Sequence, residues 1–147
     1  PPSVSSAASD VYKRQGLNRL KMEDIITTAI STEEMLPAVA QGAIGIERRE
    51  NDLRIATMLE AIHNSKTGLL LSAERAFLEA LDGSCETPIA GLAELSNGNL
   101  RFRGEILRPD GSEVFSDEQI ASKEDATLMG VEMAKKLLNK AGSNFFL

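Results

Sequence analysis

The sequence predicts an α+β fold: a small C-terminal domain of helix, three-stranded antiparallel sheet and helix, preceded by the remnant of a further sheet. Three observations carry this. Two turn signals, Asn97-Gly98 and Pro109-Asp110-Gly111, divide residues 88–120 into three short runs of strand character. Apolar residues recur at helical spacing on both sides of that region. A glycine-containing apolar segment at 38–48 stands alone, with no second strand pattern to take its backbone hydrogen bonds. It reads as the last strand of a sheet whose other strands lie upstream. The 147 residues suffice for one ordinary domain or two small ones.

Taken in order, residues 1–15 are rich in Ser, Ala and Pro and show neither helical nor strand periodicity. They lack the apolar core of a secretory signal and are set aside as a non-native or disordered tail. Residues 16–50 form the remnant: a weak helical piece at 16–20, a β segment at 24–30, a turn or N-cap at Ser31-Thr32-Glu33-Glu34, and a buried strand around Val39, Ile44 and Ile46. Residues 51–65 form a linking helix, capped by Asn51 or Asp52 and running to about residue 64, with Leu53, Ala56, Leu59 and Ile62 as its stripe. The C-terminal domain spans 66–147. Its first helix runs from 66 to 81 with Leu70, Ala73, Phe77, Ala80 and Leu81 inward, and Gly83 after Asp82 supplies the left-handed stop. Strands follow at 88–95, 100–107 and 112–120. Leu100, Phe102 and Ile106 share one face, and Arg101 and Arg103 the other. Ser122 with Asp125 resembles a capping box. The last helix, to about residue 140, turns Val131, Ala134 and Leu138 inward.

Composition excludes several functions. The formal charge is −6, which disfavours a nucleic-acid binder held by phosphate contacts. No apolar run reaches the ~20 residues of a membrane span. One Cys and one His leave no disulfide framework and no His or multi-Cys metal site. The expectation is a soluble, cytoplasmic protein with no metal, nucleic-acid or membrane partner.

Chemistry concentrates at Cys85, in Gly83-Ser84-Cys85-Glu86-Thr87-Pro88, between a helix end and a strand. A free cysteine is ordinarily a small buried hydrophobe. Here small neighbours leave the sulfur approachable, and loops carry function more often than cores do. No adjacent His or Lys activates the thiol, so a cysteine protease or a low-pKa redox sensor is a poor reading. Asp82 and Glu86 read as solvated surface.

Residues 74–90, Glu74-Arg75 followed by Gly83-Ser84-Cys85-Glu86-Thr87-Pro88, resemble the cofactor-attachment signature of the porphobilinogen deaminase (hydroxymethylbilane synthase) family. The stretch from Leu36-Pro37 through Gln41-Gly42 to Ile46-Glu47 resembles a second segment of that family, in register with the first. The resemblance covers residues 16–147 and only the C-terminal part of the family's chain, whose periplasmic-binding-protein-like lobes precede a small α+β domain. Residues 16–50 would then be the end of domain 2 and the crossover strand to domain 1.

The resemblance implies a dipyrromethane cofactor joined to Cys85 by a thioether, with four porphobilinogen units condensed into the linear tetrapyrrole hydroxymethylbilane and ammonia released. Cys85 is then an anchor rather than a turnover nucleophile, which suits the missing base. Arg49 falls where the family has an arginine facing the cofactor carboxylates, with Arg48 as the fallback. Gln41 and Gly42 match the substrate-lining segment, and Thr87 lies beside the anchor. Ala40 departs from the glycine of many relatives. Glu74 and Arg75 read as structural contacts. The family's catalytic aspartate has no counterpart here. No catalytic residue is therefore assigned, and the 147 residues alone should be inactive, whereas the full-length enzyme should be a monomeric transferase of tetrapyrrole (heme) biosynthesis. The alternative is a non-catalytic small-molecule-binding module derived from the same domain.

Overall fold

A computed structural model describes residues 16–147 except Thr27, Cys85, Glu86, Ser143, Asn144 and Leu147. Its regular elements begin with two helices, α1 (Leu53–Glu60) and α2 (Ser65–Ala80). A meander of β1 (Ile89–Ser96), β2 (Asn99–Leu107) and β3 (Val114–Ser122) follows, and α3 (Ala126–Ala141) closes the domain. The sheet order is β1-β2-β3, both pairs antiparallel. Among the described residues the fold is α+β, as the sequence predicts.

The meander follows from its turns. Asn97 and Gly98 both take positive φ, 51° and 83°, the pair of values a two-residue turn needs to match the twist of its strands. Ser96 therefore faces Asn99, and the register runs on to Ile89 facing Ile106. The second turn closes through the Gly111 N–H on the Arg108 carbonyl (2.8 Å) and the Arg108 N–H on the Glu113 carbonyl (2.9 Å). Leu100, Phe102 and Ile106 are fully buried on one face, against α2 and α3. Phe77 of α2 meets Phe102 edge to face at 5.3 Å. Burying side chains of this size contributes about 1.5–3 kcal/mol each.

The two helices pack closely because Gly130 of α3 sits against the α2 backbone. A Cβ there would lie 2.2 Å from the Ala73 carbonyl oxygen. This contact turns α3 so that Met129, Met133, Ala134 and Leu137 face the core. Of the expected stripe only Ala134 is fully buried; Val131 and Leu138 are half-buried. The expected Ser122–Asp125 capping box is also absent. Asp125 is itself the N-cap, without a side-chain bond to the helix, and the Ser122 hydroxyl bonds Glu124 instead. Beyond the helix, buried Phe145 packs on Phe115 at 5.4 Å, with the Arg108 guanidinium over its ring at 5.3 Å.

Helix starts follow the caps. Asp52 accepts the Ile55 N–H (3.0 Å) and Asn64 accepts the Thr67 N–H (2.9 Å). The linking helix ends at Glu60, earlier than the expected 64, because Asn64 caps the next helix. α1 buries no residue fully, and Leu53 and Ile62 of its expected stripe are exposed.

Before α1 the sequence expectations largely fail. A helical turn does form at 16–19. The expected β segment at 24–30 is instead a 3-10 turn at Glu23–Ile25 followed by irregular chain, with Thr27 outside the described residues. The expected strand at 38–48 reduces to one antiparallel bridge, Ala38 with Ala90. Ile44 is 93% and Ile46 55% exposed. Both segments have strand-forming composition, but among the described residues the pairing with β1 stops at the Ala38–Ala90 bridge and extends into no ladder. Strand propensity expresses itself only against a partner. The turn at 31–34 forms as expected, with the Ser31 N–H and hydroxyl donating to Glu34 Oε2.

Candidate functional site

The loop that carries the sequence signature is anchored at both ends. At the C-terminus of α2 the Asp82 N–H donates to the Glu79 carbonyl and the Gly83 N–H to the Leu78 carbonyl, each at 3.0 Å. This is a Schellman closure. Asp82, with φ 51°, takes the left-handed position that the sequence assigns to Gly83. Gly83 serves closeness instead: a Cβ there would lie 2.5 Å from Ile89 Cδ1. Beyond it, Thr87 closes back on Ser84. The Thr87 N–H donates to the Ser84 carbonyl (3.2 Å), and Thr87 Oγ1 accepts the Ser84 N–H (3.0 Å). The Pro88 carbonyl then accepts the Leu107 N–H (3.0 Å), fixing the loop exit to β2. Cys85 itself lies outside the described residues.

The second motif is docked on β1, the strand this loop leads into. The Gly91 N–H donates to the Pro37 carbonyl (3.0 Å), beside the Ala38–Ala90 bridge. A turn follows, in which the Gln41 N–H donates to the Ala38 carbonyl and Gln41 Oε1 accepts the Ala38 N–H. Gln41 thus uses its side-chain oxygen to close its own turn. Ala40 and Gly42 have φ of 61° and 83°. A Cβ on Gly42 would meet nothing within 4 Å, so the backbone there is open to a ligand.

Glu74 ties this turn to the sheet. Its side chain is buried, and its two oxygens accept the Ala40 N–H (2.7 Å) and the Ala93 N–H (3.0 Å). Burial pushes its carboxyl above the usual carboxylate range, and the two backbone donors pull the other way. The reading of Glu74 as a structural contact holds; Arg75 is exposed, and its guanidinium approaches Gly45.

The two candidate cations differ. Arg48 is committed to backbone, its Nη1 donating to the carbonyls of Arg49 (3.0 Å) and Glu50 (2.7 Å). Arg49 is exposed, and among the described residues no hydrogen bond or ion pair engages its guanidinium. It is the free cation of the pair. No such bond links it to Gln41, Gly42 or Thr87 either. A groove of about 540 Å³ beside the motif is lined by Gly42, Ile44, Ile46, Arg48, Leu59 and His63, among others.

A second attachment was missed in the sequence. Arg103, on the outer face of the sheet, is 8% exposed and pairs with Glu94 and Glu33, each at 2.9 Å. It also donates to the Thr32 carbonyl (3.0 Å). The Arg101/Arg103 alternation marks that face as charged but does not show that residues 32–33 cover it. Among the described residues no helix is long and apolar enough to cross a membrane, and no group of three or more His, Cys, Asp or Glu is placed to hold a metal.

Comparison with known proteins places the two motifs in one family. Residues 69–139 match the family model described as porphobilinogen deaminase, C-terminal domain. Residues 10–57 match that described as porphobilinogen deaminase, dipyromethane cofactor binding domain. Gln41, Gly42 and Arg49 lie in the latter match; Cys85 and Thr87 lie in the former. The porphobilinogen deaminase of Paracoccus denitrificans is 53% identical over 131 residues, covering 89% of this chain and 42% of its own length. That of Nitrobacter winogradskyi is 43% identical over 144 residues, covering 98% and 46%. The chloroplastic porphobilinogen deaminase of Pisum sativum is 47% identical over 134 residues, covering 89% and 36%. The chain thus spans less than half the length of each of these relatives.

Proposed function

Since the chain belongs to the porphobilinogen deaminase family, we propose that it is the cofactor-anchoring part of a hydroxymethylbilane synthase, a cytoplasmic transferase that condenses four porphobilinogen molecules into hydroxymethylbilane and releases ammonia. The observation that carries this is the joining of two motifs. The Gln41–Gly42 turn is held to β1 through Ala38–Ala90 and the Glu74 fork, and the loop bearing Cys85 leads into that same strand.

The residues fit a dipyrromethane group. Arg49 offers an uncommitted cation for its carboxylate arms. Gly42 offers open backbone, and Cys85 a soft thiol able to form a thioether that survives turnover. When bound, the cofactor supplies the nucleophilic pyrrole carbon to which substrate is added. The chain's own contribution is to hold that group, orient it and line the site. Arg49 balances anionic arms, Gln41 and Gly42 face substrate, and Thr87 stiffens the anchor loop through Ser84. Proton transfer is assigned to a carboxylate in the part of the relatives' length that this chain does not span.

The test is a chimera in which the upstream part of the Paracoccus relative is joined to this chain. It should consume porphobilinogen and release ammonia, while the 147 residues alone should not. A chimera that folds, yet neither binds nor consumes porphobilinogen, would remove the enzymatic reading in favour of a binding module derived from this domain.

A further inference from the structure

We infer that Glu74 is a positioning residue for the substrate-facing turn: by accepting the Ala40 and Ala93 amides on its two oxygens, it holds Ala40 in a left-handed conformation and fixes Gln41 and Gly42 on the sheet. The inference rests on the reading of that turn as lining the porphobilinogen site.

Three independent features meet here. Ala40 has φ 61°, a region that a residue with a Cβ avoids and glycine enters freely. Something must therefore offset the strain, and the bond on Ala40's own N–H, 2.7 Å to Glu74 Oε2, is placed to do so. The other oxygen takes Ala93 of β1 at 3.0 Å, so the carboxylate ties the turn to the sheet rather than capping it locally. Finally, Glu74 is only 6% exposed, and among the described residues no cation pairs with it. A buried carboxylate without a countercharge is costly. What it supplies is a fork of two acceptors for two backbone donors. Glutamine cannot reproduce this, because its amide nitrogen would face an N–H.

Ala40 and Glu74 are therefore coupled, and the coupling is measurable. The first readout is amide exchange at Gln41 in the 147-residue chain, since that N–H closes the turn on Ala38. Glu74→Gln should cost about tenfold in Gln41 protection. Adding Ala40→Gly should restore it, because glycine needs no compensation for the left-handed angle. Unchanged protection in Glu74→Gln, or a loss that Ala40→Gly does not recover, overturns the inference. Should Glu74→Gln unfold the domain, Ala40→Gly alone decides: raised Gln41 protection supports the coupling, and unchanged or lowered protection overturns it. The second readout is kinetic, in the chimera. Glu74→Gln should raise KM for porphobilinogen about tenfold with kcat within about twofold. A fall in kcat at unchanged KM is what a merely structural role gives, and it overturns the inference. A chimera that never processes porphobilinogen overturns the proposed function instead and leaves the exchange result standing.

Discussion

Single residues show where local chemistry is decisive. Gly130 has no room for a side chain, with the Ala73 carbonyl oxygen 2.2 Å from where its Cβ would be. Gly130→Ala must push α2 and α3 apart, and a stability loss of about 3 kcal/mol in urea unfolding is expected. Asp117 accepts from Lys136 and Lys140, each at 2.8 Å, which hold its carboxyl down at about 2. A depressed carboxyl stabilises the fold above its unfolded value of ~3.9, and that stability disappears as pH falls toward 2. The two lysines are about half exposed, so solvent screening limits the effect to about 1 kcal/mol. Asp117→Asn should accordingly be less stable than the parent at pH 6 and equal to it at pH 2, as read from thermal melts. Arg49→Gln in the chimera should weaken porphobilinogen turnover about tenfold or more without lowering Tm, because among the described residues its guanidinium has no hydrogen bond or ion pair to lose. A matching fall in Tm would give Arg49 a structural role instead.

Elements show how much of the fold a sequence can carry. The meander was legible because its information is local: Asn97-Gly98 selects one turn, and that turn sets the register of every following pair. The core faces of α2 and β2 were legible from periodicity alone. The face of α3 was not, because close approach at Gly130 rotates the helix, and periodicity cannot report which neighbour comes nearest. At the α2 terminus the sequence assigns the left-handed stop to Gly83, but Asp82 takes the positive φ, since Gly83 is needed beside Ile89 and Leu78. Phe145 lies beyond Gly142, where no pattern extends, yet it fills the end of the core. Phe145→Ala should cost about 3 kcal/mol. The segment 38–48 shows strand composition but, in the same sequence, no second strand to pair with, and among the described residues it forms only the Ala38–Ala90 bridge. It leaves Ile44 and Ile46 exposed, lining one groove together with exposed Ile62. In isolation the chain should self-associate through this face. Ile44→Ser with Ile46→Ser should lower its weight-average sedimentation coefficient at high concentration and leave Tm unchanged; a coefficient unaffected by the pair would place association elsewhere.

At the scale of the whole molecule, two sequence motifs about 45 residues apart are joined on one strand. Residues 37–41 reach β1 through Ala38 and the Glu74 fork, and Thr32 and Glu33 reach the outer face of the sheet through Arg103 of β2. These attachments bind the segment matching the cofactor-binding domain to the domain that bears the cysteine. The candidate site was legible as motifs because its residue types are chemically constrained. The fork was not, because a glutamate in a helix gives no sign that both its oxygens go to distant backbone amides.

Everything proposed for this chain turns on Cys85 as the anchor of the cofactor. The most direct test of that role is the intact mass of the chimera after incubation with porphobilinogen. The expected result is a mass above that of the bare polypeptide by two linked pyrroles, lost when Cys85 is changed to serine. A mass that stays at the bare value, or an increment that survives Cys85→Ser, would contradict it.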